Sequence, residues 1–241
     1  MERIRELANA GVNVFRLNFS HGEHAVHAKN VEFIRQVECE IGRPIGILQD
    51  LQGPKIRTAT FEQGSIELAE GDAFALTCGD DSPGTQDRVG VTYTDLYKDV
   101  QPGDALLLDD GRLALEVHVL DDTTIHTTVT LGGKLSNNKG INIPGADLSI
   151  PALTDKDVED LTFGVGLDFD WVAMSFVRNR EDVLLARHYL ARAGSDAKLM
   201  AKIEKPTAVE RFADILREVD GVMVARGDLG VELAPERVPQ I

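Results

Sequence analysis

The sequence of 241 residues is poor in cysteine, in aromatic side chains and in long uncharged stretches. Its two cysteines, Cys39 and Cys78, have neither metal-site nor redox spacing, and they indicate no disulfide framework. No apolar run approaches the ~18 residues that a membrane span requires. Residues 1–10 have the pattern of a charged helix rather than of a secretory leader. We therefore expect a protein of the reducing cytoplasm with no membrane partner.

Positive charge is also scarce. The chain has 25 Lys and Arg residues against 40 Asp and Glu residues, which gives a formal net charge of −15. Such an acidic chain is repelled by nucleic acid and by anionic membranes, so we expect neither as a partner. Against this background, a local cluster of basic residues indicates a bound anion.

Three regions differ in their pattern. Residues 1–53 alternate helix and strand, with predicted strands at 12–19 and 44–50 around a helix at 25–41. Residues 54–150 have short β-type runs divided by Gly, Pro and Asp turns, which predict an inserted small all-β domain, a compact barrel or alternatively a sandwich. Residues 151–241 return to the alternation of strand and helix. The α/β repeats predict a (β/α)8 TIM-type barrel, incomplete here, with about five of its eight strands.

The alternative architecture is a doubly wound open sheet, but the chain lacks a Gly-rich dinucleotide fingerprint. Both ends of the sequence look like positions inside a fold. The sequence therefore predicts a piece of a larger barrel protein rather than a complete enzyme.

Residues 198–230 carry the clearest chemical pattern. A predicted strand ends at Glu204, a helix opened by Pro206 follows, and the next apolar run leads to Asp228. A strand–helix–strand unit makes the strands parallel, so both carboxylates should lie at the same edge of the sheet, with Lys202 facing the same side. This group suits a divalent metal and an anionic substrate. The alternative is that Glu204 only favours the next helix N-terminus and pairs with Lys202.

Polar residues also follow the earlier strands. Arg16, Asn18 and Ser20 share one strand face, where Arg16 could contact an anion and the other two could offer oxygen to a cation. The alternative is an ordinary solvated strand end. Lys55 and Arg57 follow the strand that ends at Asp50, and two cations so close together favour a polyphosphate.

Taken together, these segments resemble pyruvate kinase over essentially the whole chain. The resemblance rests on six ordered motifs: residues 18–22 (NFSHG), 50–57 (DLQGPKIR), 138–142 (NKGIN), 175–176 (SF), 201–204 (AKIE) and 223–230 (MVARGDLG). It implies transfer of phosphoryl from phosphoenolpyruvate to ADP, giving pyruvate and ATP in the last step of glycolysis. It also implies Mg²⁺ or Mn²⁺, a K⁺-type monovalent cation and a homotetrameric intact enzyme.

The resemblance also implies roles for single residues. Lys202 matches the catalytic lysine, and Arg16 matches a contact to the substrate phosphate. The remaining matches are Glu204 and Asp228 to the magnesium carboxylates; Gly227 and Asp228 to a contact with the substrate carboxylate; Asn18, Ser20, Asp50 and the Leu51 carbonyl to the monovalent-cation site; and Arg57, Lys139 and, more weakly, His21 to the nucleotide contacts.

Two features depart from the family pattern. Members that depend on K⁺ usually have glutamate where this chain has Lys55, and Thr-Lys where it has Leu51-Gln52. The Lys55 ammonium could supply the charge otherwise brought by K⁺, which predicts activity without K⁺.

The second departure is length, because the first and last barrel strands and the C-terminal domain of the family have no counterpart. Two other functions stay open: an Mg²⁺-dependent barrel aldolase or lyase acting on pyruvate enolate, and a noncatalytic remnant.

Overall fold

The computed structural model describes residues 1–146 and 148–241 and divides into two compact units. The first unit, which we call the α/β unit, comprises Met1–Pro54 and Ala152–Ala225. The second, which we call the β unit, comprises Lys55–Pro151 and Arg226–Ile241. No helix in residues 1–146 or 148–241 is both long and apolar enough to cross a membrane.

The α/β unit is built on a five-stranded parallel sheet, in which the strands lie side by side in the order in which they occur in the sequence. Its strands are β1 (Val14–Asn18), β2 (Gly46–Asp50), β11 (Trp171–Met174), β12 (Lys198–Ile203) and β13 (Gly221–Val224). Its helices are α1 (Glu2–Asn9), α2 (His24–Ile41), α4 (Asp155–Val165), α5 (Arg180–Arg192), α6 (Pro206–Glu210) and α7 (Phe212–Leu216). Because all five strands are parallel, their carboxyl ends lie at one edge.

The helix boundaries follow local capping chemistry. Thr154 and Asp157 form a capping box, with Asp157 N–H donating to the Thr154 hydroxyl. Asn179 caps α5 by accepting from the Asp182 N–H. Gly42 ends α2 in the left-handed conformation that glycine adopts without steric cost. These three helix ends therefore lie at residues whose side chain or backbone suits that position.

The helix predicted to begin at Pro206 is divided in the structure. It forms two short helices, α6 and α7, which meet at Arg211, where φ of −99° and ψ of 17° interrupt the regular helix. Strand β11 ends at Met174, and Phe176 then turns the chain with a positive φ of 55°.

The β unit contains eight strands: β3 (Ser65–Leu68), β4 (Ala73–Cys78), β5 (Arg88–Val91), β6 (Ala105–Leu108), β7 (Leu113–Asp121), β8 (Thr124–Leu131), β9 (Gly133–Ser136) and β10 (Ile141–Asn142). They form a six-stranded sheet of order β10-β6-β7-β8-β4-β5 and a two-stranded sheet β3-β9. Pairing is antiparallel except between β4 and β5. The unit also contains α3 (Leu96–Asp99), α8 (Arg226–Glu232) and a 3₁₀ helix (Pro235–Gln240).

Alternating side chains make the β-unit core. In β4, Phe74, Leu76 and Cys78 point inward and are buried, whereas the residues between them are partly or fully exposed. This period of two is the pattern of a strand with one covered face. The inward residues join those of β6, β7 and β8 in one apolar cluster. The sheet therefore provides a rigid scaffold for the loops that carry charge.

Candidate active site

Lys202 lies near the carboxyl end of β12, and its ammonium is surrounded by oxygen atoms. Its Nζ is 2.7 Å from Ser175 Oγ, 2.9 Å from Glu204 Oε1 and 3.3 Å from Asp50 Oδ1. A lysine has three N–H donors, so each can find an acceptor here. All four residues are buried, since Lys202 is 9% exposed and the other three are 2% or less. The α/β unit thus holds a compact buried charge cluster, which we call the Lys202 cluster.

Asp50 links the Lys202 cluster to Arg16. Asp50 ends β2 and Asn18 ends β1, and these two residues are register partners in the parallel sheet. The other oxygen of Asp50, Oδ2, accepts a hydrogen bond from Arg16 Nε at 2.5 Å. Arg16 is half exposed at 50%, so its guanidinium can still meet a ligand from solvent. The predicted anion contact and the predicted catalytic lysine therefore share one carboxylate.

The electrostatics of the Lys202 cluster favour the ammonium form. Burial disfavours a charged amine and lowers the pKa of Lys202, but the carboxylates of Glu204 and Asp50 outweigh burial and raise that pKa above its ordinary value. Lys202 therefore carries a permanent positive charge at neutral pH. Such a preorganised charge can neutralise an anion without a proton transfer.

The sequence assigned no role to the turn Ser175–Phe176, although it lies against the Lys202 cluster. The Phe176 backbone N–H donates to Glu204 Oε2 at 2.7 Å. Phe176 is buried and has a φ of 55°, a conformation that is rare for a bulky residue. The available signal was the motif at residues 175–176, which contributes to the family resemblance but carried no task for either residue.

The four predicted monovalent-cation ligands lie in the α/β unit. Asn18 Oδ1 accepts from the Ser20 N–H at 3.0 Å, and the Leu51 carbonyl accepts from the Ser175 hydroxyl at 2.7 Å. Carbonyl, amide, hydroxyl and carboxylate oxygens can each accept more than one contact, so this donor set still fits a hard cation. Asp50 already has two cationic neighbours, Arg16 and Lys202.

The β unit brings together Arg57 and Lys139. Arg57 pairs with Gly140 in an antiparallel bridge, and its Nη1 donates to the Asn138 carbonyl at 3.0 Å. Lys139 Nζ lies 2.7 Å from Asp109 Oδ1. Two cations that the sequence places 82 positions apart thus lie on adjacent backbone segments of one unit.

Asp228 and Lys55 form an ion pair within the β unit. Lys55 Nζ is 3.0 Å from Asp228 Oδ1 and 3.8 Å from Asp110 Oδ1. Asp228 lies in the first turn of α8, three residues beyond Ala225, and not at the strand end that the sequence predicted. Gly227, which the sequence assigns to the substrate carboxylate, is exposed on the same helix.

The remaining predicted residues are divided between the units. Glu204 and His21 belong to the α/β unit, whereas Asp228 belongs to the β unit. His21 is exposed, and its carbonyl accepts from His27 Nε2 at 3.0 Å. In residues 1–146 and 148–241, no group of three or more His, Cys, Asp and Glu side chains is arranged to hold a metal. The two-carboxylate metal site therefore stays a prediction.

The chain also matches proteins of known family. The family profile described as "Pyruvate kinase, barrel domain" matches residues 1–241. The chain therefore belongs to the pyruvate kinase barrel-domain family, and the resemblance identified from its motifs is confirmed.

Curated relatives agree with this assignment. The chain is 48% identical to pyruvate kinase 2 of Synechocystis sp. over 242 residues, which cover 99% of this chain and 41% of that protein. It is 45% identical to pyruvate kinase of Corynebacterium efficiens, covering 99% of this chain and 50% of that protein. The chain is 43% identical to pyruvate kinase of Clostridium perfringens, covering all of this chain and 51% of that protein. The chain spans about half the length of these relatives.

Proposed function

We propose that the protein carrying this chain transfers a phosphoryl group from phosphoenolpyruvate to ADP and releases pyruvate and ATP. The supporting observation is the Lys202 cluster, in which a buried ammonium is held by two carboxylates at the end of parallel strands. Family membership and the named relatives support the same reaction. Phosphoryl transfer needs alignment and neutralisation of charge more than covalent chemistry, and this cluster supplies both.

Each residue has a separate task in this proposal. Arg16 binds the substrate phosphate, and Lys202 neutralises the phosphoryl group as it leaves the enol oxygen and bonds to the terminal phosphate oxygen of ADP. The enolate that remains takes up a proton from solvent at its methylene carbon and becomes pyruvate. The backbone of Gly227 and Asp228 takes the substrate carboxylate. Arg57 and Lys139 bind the nucleotide phosphates, with His21 as a weaker nucleotide contact.

Mg²⁺ or Mn²⁺ would be held by Glu204 and Asp228. Both offer hard carboxylate oxygens, which these cations prefer, and each oxygen of Glu204 can accept more than its contact to Phe176 or Lys202. A bound divalent ion would add positive charge to the phosphoryl oxygens and to the enolate. The chain's own residues bind and orient both substrates.

A monovalent cation would bind Asn18, Ser20, Asp50 and the Leu51 carbonyl. Lys55 makes this cation dispensable in our proposal, because the ammonium brings a permanent positive charge.

We further propose that residues 1–53 and 151–241 are parts of one catalytic barrel and that residues 54–150 are its inserted β-barrel lid domain. The intact enzyme is a homotetramer in this proposal.

The test is ADP-dependent formation of pyruvate from phosphoenolpyruvate, with ATP produced in equal amount. It is performed on the chain of 241 residues and on a version extended to the length of its relatives. If neither the 241-residue chain nor the extended version transfers phosphoryl, and one of them cleaves an aldol, the protein is a lyase and not a kinase. Absence of both reactions would indicate a noncatalytic protein.

A further inference from the structure

We propose that Ser175 is a positioning residue for Lys202, and that the turn Ser175–Phe176 fixes the Lys202 cluster as a unit. The proposal rests on the catalytic role proposed for Lys202. It assigns to the turn a task that family membership alone does not give it. Three features support this role: the Ser175 hydroxyl, the Phe176 backbone and the contact with Gly53.

The Ser175 hydroxyl has one proton, and its neighbours determine where that proton lies. Ser175 Oγ is 2.7 Å from the Leu51 carbonyl oxygen and 3.5 Å from Asp50 Oδ1, so the proton goes to the carbonyl. The oxygen lone pairs then face Lys202 Nζ, which donates to Oγ at 2.7 Å. The carbonyl thus orients the hydroxyl, and the hydroxyl orients the ammonium.

Ser175 differs from the other two acceptors because it is neutral. Glu204 and Asp50 attract the ammonium but also cancel its charge, whereas Ser175 holds its position without reducing that charge. A phosphoryl oxygen that contacts Lys202 must take over one N–H donor. The 3.3 Å contact to Asp50 is the longest of the three and so the easiest to release. Ser175 keeps Lys202 in place during that exchange.

Phe176 and Gly53 fix the turn itself. The positive φ of Phe176 directs its backbone N–H at Glu204 Oε2, 2.7 Å away. A Cβ added at Gly53 would lie 2.8 Å from Ser175 Cβ, closer than real Cβ contacts, and 3.0 Å from Phe176 Cδ2, which is also tight. The Gly53 N–H is held by Asp157 Oδ1 at 2.9 Å. Gly53, in the segment after β2, therefore packs against the turn, and a side chain at Gly53 would displace it.

The first experiment measures how firmly Lys202 is held, without using activity. The 241-residue chain is treated with an amine-acylating reagent, and modification of Lys202 is followed by peptide mass spectrometry, with exposed Lys29 as the internal standard. Loss of one hydrogen bond to a charged group predicts that Ser175→Ala raises the Lys202 rate about tenfold relative to Lys29. Ser175→Thr keeps the hydroxyl and should restore the parental rate.

Thr127→Val is the matched control, because Thr127 has a buried hydroxyl that donates to the Phe74 carbonyl in the β unit. It removes one buried hydroxyl and should leave Lys202 labelling unchanged. Should Ser175→Thr fold poorly beside Gly53, Ser175→Ala against Thr127→Val still decides the question. A Lys202 rate that is equal in Ser175→Ala and the parent chain overturns the proposal.

The second experiment measures turnover in the extended version. Ser175→Ala should lower kcat about tenfold and leave the KM for phosphoenolpyruvate unchanged, because substrate binding through Arg16 is intact. An unchanged kcat, even with faster labelling, overturns the positioning role. If the parent enzyme transfers no phosphoryl group, the proposed function fails, and the labelling result alone decides whether Ser175 orients Lys202.

Discussion

The two units of this chain bury different kinds of side chain. The α/β unit buries full charges, among them Lys202, Asp50 and Glu204, whereas the β unit buries a continuous apolar cluster and places Lys139 and Arg112 nearer the surface. A buried charge is costly unless it is paired. Buried Asp157 of the same unit completes a helix capping box, whereas Lys202, Asp50 and Glu204 pair with one another at the strand ends. These three are therefore the buried charges best placed for chemistry, and the β unit presents its cations nearer the surface.

Backbone strain shows the same contrast. In the β unit, the non-glycine residues with positive φ are Asp109, Asp110, Asp122 and Asn138, whose short polar side chains tolerate this conformation in turns. In the described part of the α/β unit, Asp168 is of the same polar kind, but Phe176 also has a positive φ although its side chain is bulky and buried. Strain of this second kind persists only where the surroundings impose it, and it clusters at functional sites.

Replacing one cation from each unit tests the contrast most strongly. Lys202→Met should lower kcat on the order of 100-fold or more, because one preorganised charge at the reaction centre is lost. It should retain Mg²⁺ binding, measured by titration calorimetry. Lys139→Met should instead raise the KM for ADP and change kcat little. Equal loss of kcat in both variants would contradict the division of tasks, and full activity of Lys202→Met would remove Lys202 from the mechanism.

Lys55 is an intermediate case, because it lies in the β unit but its side chain is only 20% exposed and pairs with Asp228. The enzyme should show equal activity in K⁺ and Na⁺ at fixed ionic strength. Lys55→Glu should create K⁺ activation on the order of tenfold, since the charge must then come from a cation. Strong K⁺ activation of the parent enzyme would refute the role of Lys55.

Much of the Lys202 cluster could be predicted from sequence, because parallel strands bring their charged carboxyl ends to one edge. Lys202 and Glu204 were grouped in this way, Arg16 was proposed separately as an anion contact, and Asp50 was assigned only through the family resemblance, to the cation site. Ser175 could not be, since its role depends on a carbonyl that orients its hydroxyl and on a turn that apolar periodicity does not encode. The helix that carries Asp228 was also missed, because a short apolar run followed by two glycines favours a loop.

Glycine packing tests the two scaffolds separately. An added Cβ at Gly90 in β5 would overlap the Asp80 carbonyl oxygen, and one at Gly164 in α4 would overlap the Gln49 side chain. Backbone cannot yield as a side chain can, so Gly90→Ala should destabilise by about 3 kcal/mol and Gly164→Ala by about 1–2 kcal/mol in urea unfolding. Gly230→Ala in α8, where the nearest atom is 3.9 Å away, is the control and should be neutral or slightly stabilising. A larger loss of stability in Gly164→Ala than in Gly90→Ala would show that the sheet adapts to an added methyl group more readily than the helix packing does.

The smallest expected effect concerns a surface ion pair of the β unit. Hydrogen bonds from Ser82, together with the contact to Arg88, lower the pKa of Asp80 to about 2. Because the folded pKa lies below the unfolded value of about 3.9, this contribution to stability is complete above pH 4 and is lost as pH falls towards 2. Stability of the parent protein in urea should therefore fall more steeply between pH 4 and pH 2 than that of Asp80→Asn. Asp81→Asn removes a neighbouring carboxylate and should follow the parent; identical slopes in all three proteins would show that this surface pair, unlike the buried Lys202 cluster, contributes nothing measurable.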